Sequence, residues 1–313
     1  GQKQVKISSI SENIMRHWQI CMNTDYHNPS LDQIGTALTG KQVSNGMTAK
    51  IGIIGHGFVG SAVANGFKRD VNKLIVDPAL TDVTIKVLVD NFNPEGVFVC
   101  VPTPETKSGD VCVDIATEVL KELHDLKYKG IVIIKSTITP RHLIRFKKKF
   151  STLKLVYNPE FLTEANSLND FLNPSMQILG GKWRDCEWVE RLYVRHSNVR
   201  VVPTFKVDLI TASMLKYTIN SWLATKVTFF NELRELYDAS NTKVPWESFT
   251  DMLTRDPRMG DTHMQVPGPD RQPGFGGHCF PKDTAALLYY AESLGVNLSV
   301  LDQAVTKNKS IRS

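Results

Sequence analysis

From Lys50 onward the chain alternates short runs dense in Val and Ile with longer stretches whose apolar residues recur at helical spacing. Runs that are too short for helices, and almost wholly apolar, become strands buried on both faces. Helices placed between consecutive strands make those strands run parallel. The strands expected are Lys50–Ile54, Lys73–Val76, Gly96–Val101, Ile131–Lys135, Lys154–Tyr157, Gln177–Leu179 and Val199–Val202, with Val113–Leu126 typical of the helices between them. This is the pattern of an α/β fold built on a doubly wound parallel sheet.

After Pro203 no further strands are expected. Lys206 to about Ser240 holds neither Pro nor Gly, and Leu215, Ile219, Leu223, Val227, Phe230, Leu233 and Leu236 keep helical spacing. A helix of that length runs about 50 Å at 1.5 Å per residue. Shorter helices are expected at Trp246–Leu253, Thr284–Leu294 and Leu298–Arg312, so the second domain, 206–313, reads as all-helical. A long apolar-faced helix commonly forms a dimer spine, and a homodimer through 206–240 is expected. Residues 1–46 are polar and outside this scheme, with the spacing of an amphipathic helix at Ile10 to Met22. A native extension and a fused segment both fit them, the leading glycine slightly favouring the second, and no function is assigned to them. The sheet domain then occupies 47–205.

Composition narrows the function. The 313 residues carry a net charge of +5, with Lys and Arg scattered except at Lys147-Lys148-Lys149, which reads as a solvated helix face. Basic residues are not interleaved with stacking aromatics, so nucleic acid is not the expected partner, whereas an anionic small substrate is. The five cysteines, Cys21, Cys100, Cys112, Cys186 and Cys279, are odd in number and contain no Cys-x-x-Cys pair. Neither a disulfide framework nor a zinc site is expected, and no metal is invoked. No apolar run approaches the length of ~18 residues that spans a bilayer, and Gly1-Gln2-Lys3-Gln4 lacks a signal-peptide layout. The expected compartment is the reducing cytoplasm.

Gly55-His56-Gly57-Phe58-Val59-Gly60 is a G-x-G-x-x-G that directly follows the first strand and opens a helix. In that context Gly55 permits the turn, Gly57 lets backbone approach a pyrophosphate, and Gly60 lets helix and sheet pack closely. The helix start, at Phe58 and Val59, offers N–H groups to phosphate charge. Asp77 ends the next strand, where a carboxylate binds the adenosine ribose hydroxyls and repels a 2′-phosphate, so NAD is expected over NADP. Val101-Pro102-Thr103-Pro104 and Lys135-Ser136-Thr137 close two other strands on the same edge. Thr103, Pro104, Ser136 and Thr137 are expected to touch cofactor or substrate.

Cys279 stands in Gly274-Phe275-Gly276-Gly277-His278-Cys279-Phe280-Pro281-Lys282-Asp283. Glycines before it allow close backbone approach, and the charge of Lys282 beside it favours thiolate. A reactive cysteine joined to an NAD fold suits oxidation past the aldehyde: thiolate adds to the aldehyde, the adduct gives up hydride, and the thioester hydrolyses. The segment is expected to be extended, which would point His278 and Cys279 opposite ways and exclude a Cys–His dyad. Lys216 and Asn220, four apart, share one helix face and fit a pair stabilising one oxyanion.

Taken together with Asn158-Pro159-Glu160-Phe161-Leu162-Thr163-Glu164, Leu215-Lys216-Tyr217-Thr218-Ile219-Asn220, Phe230-Asn231-Glu232 and Arg258-Met259-Gly260, these motifs resemble the UDP-glucose/GDP-mannose dehydrogenases. The resemblance runs from about Lys50 to the C-terminus and lies nearest the UDP-glucose 6-dehydrogenase branch. It implies a Rossmann domain followed by a helical dimerisation domain of the 6-phosphogluconate-dehydrogenase type. It implies two hydride transfers that take a sugar C6 alcohol to the uronic acid used in polysaccharide biosynthesis, with two NAD reduced. By position it makes Cys279 the nucleophile and Lys216 and Asn220 the oxyanion-stabilising groups. Asp283, Thr137 and Glu160 then position water and assist proton transfer, and Glu164 is a further active-site carboxylate. Lys282 falls among the cofactor contacts, and Phe161, Leu162, Glu164, Lys216, Asn220 and Gly276 among the substrate contacts. Arg258 reaches the substrate of the neighbouring subunit.

The sequence also departs from that family. Its members continue into a third, nucleotide-gripping domain, whereas this sequence ends at Ser313, so that domain is expected to be truncated or lacking. The stretch between Arg258 and Cys279 is several residues longer than usual, with Asp270 and Arg271 added, and Glu164 is followed by Ala165 where glycine is usual. Met176 stands where an arginine is common. Two other readings share the architecture: a one-step β-hydroxyacid-type dehydrogenase, which needs no cysteine, and an NAD-binding relative without turnover.

Overall fold

The computed structural model describes residues 48–312. The amphipathic stretch expected at Ile10 to Met22, and the 46/47 boundary, lie outside the described residues. Seven strands form one sheet: β1 Lys50–Ile54, β2 Asn72–Val76, β3 Gly96–Val99, β4 Ile131–Ile134, β5 Lys154–Tyr157, β6 Gln177–Gly181 and β7 Thr204–Val207. Their order is β2-β1-β3-β4-β5-β6-β7. The helices are α1 Phe58–Gly66, α2 Asp114–Asp125, α3 Pro140–Lys149, α4 Ser167–Leu172, α5 Trp183–His196, α6 Leu209–Ala239, α7 Trp246–Leu253, α8 Cys279–Ser293 and α9 Ser299–Ile311. Short turns at Ile85–Val87, Leu88–Phe92 and Glu164–Asn166 complete the set.

Why these runs are strands is visible in their burial. Ile51, Ile53, Phe98, Cys100, Ile131, Ile133 and Val156 join a core with Ala62, Val63, Phe171, Val189 and Tyr193 of the α1, α4 and α5 layer. The alternate residues Val97, Val99, Val132 and Ile134 are equally buried. Both parities are covered, which is why the runs read as continuously apolar.

Three expectations need correction. The sheet is not wholly parallel: β6 pairs antiparallel with β5 through Val156 opposite Gly181 and Tyr157 opposite Gly180. The last strand is Thr204–Val207, paired parallel to β6 from Gln177 opposite Thr204, and not Val199–Val202. Pro203, with no N–H to give a ladder, precedes this edge strand and does not end the sheet. The long helix accordingly starts at Leu209, since Lys206 belongs to β7.

The chain divides into two compact units. The first takes the residues through Thr103, Val113–Thr137 and Ile144–Ala212; the second takes Pro104–Cys112, Ile138–Leu143 and the chain from Ser213. The two short pieces in the second unit are tied together by Asp110, whose Oδ2 accepts from Arg141 Nη2 and meets His142 Nε2, both at 2.9 Å. Within that unit Phe230, Trp246 and Met264 form a core with Leu233, Tyr237, Phe249 and Val266. No helix among the described residues is long and apolar enough to cross a membrane.

Candidate active site

At the carboxyl edge of the sheet β1 lies between β2 and β3, so the winding reverses there, and such a switch point is where doubly wound folds bind ligands. Gly55 leaves β1 with φ +89°, and a Cβ on it would lie 2.7 Å from the carbonyl oxygen of Cys100. A Cβ on Gly60 would stand 1.9 Å from the Gly55 carbonyl oxygen, so the turn and the first turn of α1 touch backbone to backbone. Gly57 caps α1, whose first turn holds no acidic residue and no side-chain cap. The N–H groups at that end, which have no intrahelical partners, suit a phosphate.

Asp77 directly follows β2, is buried, and accepts from His56 N at 2.7 Å and Ala79 N at 2.9 Å, one bond to each carboxylate oxygen. Each oxygen keeps acceptor capacity for a ribose hydroxyl. The loop and carboxylate therefore fit a dinucleotide. Burial holds the His56 imidazole below its ordinary pKa, against the opposing pull of Asp77, so the loop presents a neutral ring.

The next two strand ends interlock. Thr103 Oγ1 donates to the Thr137 carbonyl at 2.9 Å, and Ser136 Oγ donates to the Val101 carbonyl at 2.6 Å. The segments following β3 and β4 thus form one hydrogen-bonded rim beside the glycine loop. Pro104 begins a short turn in the second unit, its carbonyl accepting from Cys112 N at 2.7 Å.

Beyond β5 the backbone places Glu160 and Glu164 in different surroundings. Glu160 is buried and accepts from Leu162 N at 2.6 Å, whereas Glu164 is exposed; Phe161 and Leu162 are half-buried between them. Asn158, which the sequence offers only as the first residue of a motif, organises the segment after β5. Its Oδ1 accepts from Lys135 Nζ at 3.1 Å and Tyr193 Oη at 2.8 Å, and its Nδ2 donates to the Ile178 carbonyl at 3.0 Å.

In the second unit Asn220 and Asp283 come together: Asn220 Nδ2 donates to Asp283 Oδ2 at 2.6 Å, while Lys282 Nζ holds Asp283 Oδ1 at 2.6 Å. Asp283 is only 1% exposed, and Lys216, one turn before Asn220 on α6, is 2% exposed. A buried carboxylate is tolerable because both oxygens are paired. Cys279 corrects the sequence expectation: it is the first residue of α8, with His278 in αR geometry at the N-cap, not part of an extended segment. His278 and Cys279 are therefore not forced to point opposite ways. The helix opens here despite Pro281 because a first-turn residue owes no N–H to the helix. A helix N-terminus favours thiolate over thiol. Gly276 lies against the Arg312 guanidinium, where a Cβ would come within 2.2 Å of Nη1. Arg312 also binds Asp270 at 2.5 Å, so the loop between Arg258 and Cys279 is anchored to the end of α9. Arg258 is 87% exposed and paired with Asp256.

Among the described residues no group of His, Cys, Asp and Glu is placed to hold a metal ion. The sequence matches models of the UDP-glucose/GDP-mannose dehydrogenase family, the NAD-binding domain over residues 81–197 and the central domain over 210–310, together well over half of the chain. It is 30% identical over 222 residues to a UDP-glucose 6-dehydrogenase of Rickettsia bellii, covering 69% of this chain and 50% of that protein. It is also 30% identical over 230 residues to a GDP-mannose 6-dehydrogenase of Pseudomonas savastanoi, covering 68% and 50%. The chain spans about half the length of these relatives. A solved UDP-glucose dehydrogenase from Pyrobaculum islandicum superposes with a TM-score of 0.70 at 22% identity, covering 86% of this chain and 70% of that one. The match to the NAD-binding domain model makes NAD the cofactor.

Proposed function

This chain belongs to the UDP-glucose/GDP-mannose dehydrogenase family, and from that premise we propose that it oxidises the C6 alcohol of a UDP-glucose-like nucleotide sugar to the uronic acid through a Cys279 thioester. The supporting observation is Cys279 at the start of α8 with Asp283 one turn on, the carboxylate held by both Lys282 and Asn220. Bound NAD supplies the hydride acceptor, twice per substrate.

The first oxidation passes hydride from C6 to the cofactor and the C6 hydroxyl proton to water beside Asp283, leaving an aldehyde. The Cys279 thiolate forms a C–S bond to that aldehyde, and its oxygen becomes an oxyanion beside Lys216 and Asn220. Asn220 has a second N–H to offer while the first stays on Asp283. Loss of the second hydride leaves the thioester. Water then attacks it, the C–S bond breaks, thiolate is restored and the uronate leaves. Asp283 takes the proton of that water, with Thr137 and Glu160 positioning it and Glu164 serving the sugar. Phe161, Leu162 and Gly276 line the sugar, and Thr103, Ser136 and Lys282 contact the cofactor. Two copies pair along α6, whose Trp222, Phe229 and Leu236 are 62%, 56% and 63% exposed at heptad spacing, and Arg258 serves the partner's substrate.

A panel of UDP- and GDP-sugars assayed for NADH release tests the reading. Two NADH per sugar are expected, with a thioester on Cys279 trapped by acid quench and mass analysis. A Cys279→Ser enzyme with undiminished turnover and one NADH per substrate would instead establish a one-step dehydrogenase. NAD binding without reduction on any sugar nucleotide would establish a binding protein.

A further inference from the structure

Just upstream of Cys279 the backbone is gripped by side-chain amides from two helices. Gly274 N donates to Asn231 Oδ1 at 2.9 Å, from α6. Phe275 N donates to Asn308 Oδ1 at 2.7 Å, and Asn308 Nδ2 donates to the Phe275 carbonyl at 2.9 Å. One carboxamide from α9 thus satisfies both backbone groups of a single residue, as a neighbouring strand would. Asn231 is 4% and Asn308 7% exposed. The Asn231 amide is itself oriented by donating to the Val227 carbonyl at 2.8 Å.

The fit is tight and specific. Gly274 has φ +73°, and a Cβ there would lie 2.4 Å from Asn308 Oδ1, so only glycine passes beneath the amide. The Phe275 ring meets the Phe280 ring edge-on at 6.2 Å, which joins the bracketed residue to the first turn of α8. On the other side of Cys279, Asp283 is held by Asn220. Asn220 and Asn231 are eleven residues apart, about three helical turns, so α6 grips the chain before and after the cysteine from one face. Buried asparagines cost stability unless paired, and Asn231 and Asn308 both place their Oδ1 atoms on backbone N–H groups of a glycine-rich segment with no regular structure.

We infer that Asn231 and Asn308 are positioning residues for Cys279: their amides fix Gly274-Phe275 and so set how α8 presents the thiol. The inference rests on Cys279 being the nucleophile, but its test needs no turnover. Iodoacetamide labelling of the full chain, followed at the Cys279 peptide from pH 6 to 9, reads the thiol directly. Cys100 and Cys186 serve as silent references, since burial pushes their thiols up to about 12 and about 11. Asn231→Ala and Asn308→Ala are expected to slow labelling at pH 7 about tenfold, as one lost hydrogen bond would, and to move its pH midpoint upward. Asn231→Asp, which keeps an acceptor for Gly274 N, is expected to restore most of the rate. In the unaltered protein the Gly274 and Phe275 amides are expected to be protected from hydrogen exchange, which decides the matter if a variant fails to fold. Labelling rates and midpoints unchanged in both alanine variants, or unprotected amides at Gly274 and Phe275, overturn the proposal. Absence of NAD reduction alone would sink the dehydrogenase reading and leave these rates as they are.

Discussion

A methyl group on Gly60 has nowhere to go: its nearest neighbours would be the Gly55 carbonyl oxygen at 1.9 Å and its carbon at 2.9 Å, both backbone. Gly60→Ala is therefore expected to lower unfolding free energy by about 1–3 kcal/mol, the usual range for overpacking. The same change should weaken NAD binding, because it moves the turn proposed to hold the NAD phosphates; urea unfolding and NAD titration measure the two. The close packing at Gly60 and the placement of Asp77 just after β2 were legible in sequence because they are local and their spacing is set by one strand–turn–helix unit. Cys279 was legible as a residue but not in its setting, since Pro281 two positions later reads as a helix breaker and is here a first-turn residue. Asn158, Asn231 and Asn308 were not legible as organisers. Their key partners lie 20, 43 and 33 residues away, beyond the reach of any local pattern.

Among the elements, α6 carries the greatest variety of tasks. Its 31 residues extend about 46 Å at 1.5 Å per residue. Lys216, Asn220 and Asn231 are buried on it, while Trp222, Phe229 and Leu236 are exposed. A repeat of seven drifts only about 20° per step, so the exposed three form one stripe suited to a second helix. Trp222→Glu combined with Phe229→Glu is expected to convert the protein to monomer in sedimentation velocity, with the thermal midpoint of the wild type falling on dilution and that of the variant not. A wild type that sediments as monomer at tens of micromolar would remove the dimer from the proposal. The helix was legible because its apolar spacing is long and uninterrupted. The neighbouring β7 was not: Thr204-Phe205-Lys206-Val207 is an edge strand, half-exposed, and its weak signal was outweighed by the more apolar Val199–Val202 just before it.

At the scale of the whole molecule, two histidines make stability depend on pH. Burial lowers the pKa of His56, and burial followed by the nearby Lys226 lowers that of His263. The unfolded chain takes up these protons at a higher pH than the fold does. Between the two values it holds more protons, and stability rises with pH. This contribution is complete above the ordinary histidine value of about 6.5 and is lost as pH falls through the lowered values. Thermal midpoints are expected to fall from pH 7.5 to 5.5, and the fall should shrink in a His56→Gln, His263→Gln double variant; an equal fall in that variant would assign the effect elsewhere. The overall plan was legible because alternating buried strands and helices leave few other solutions. The reversal of β6 and the two short pieces that cluster with the helical unit depend on contacts distant in sequence. Asn158 shows what such contacts imply for anyone who would remodel this protein. Its amide is bonded to Lys135 after β4, to Ile178 in β6 and to Tyr193 in α5, with Glu160 only two residues along. This rim cannot then be redesigned strand by strand: a library that varies the residues around Glu160 is expected to keep more folded members when Lys135 and Tyr193 vary with them.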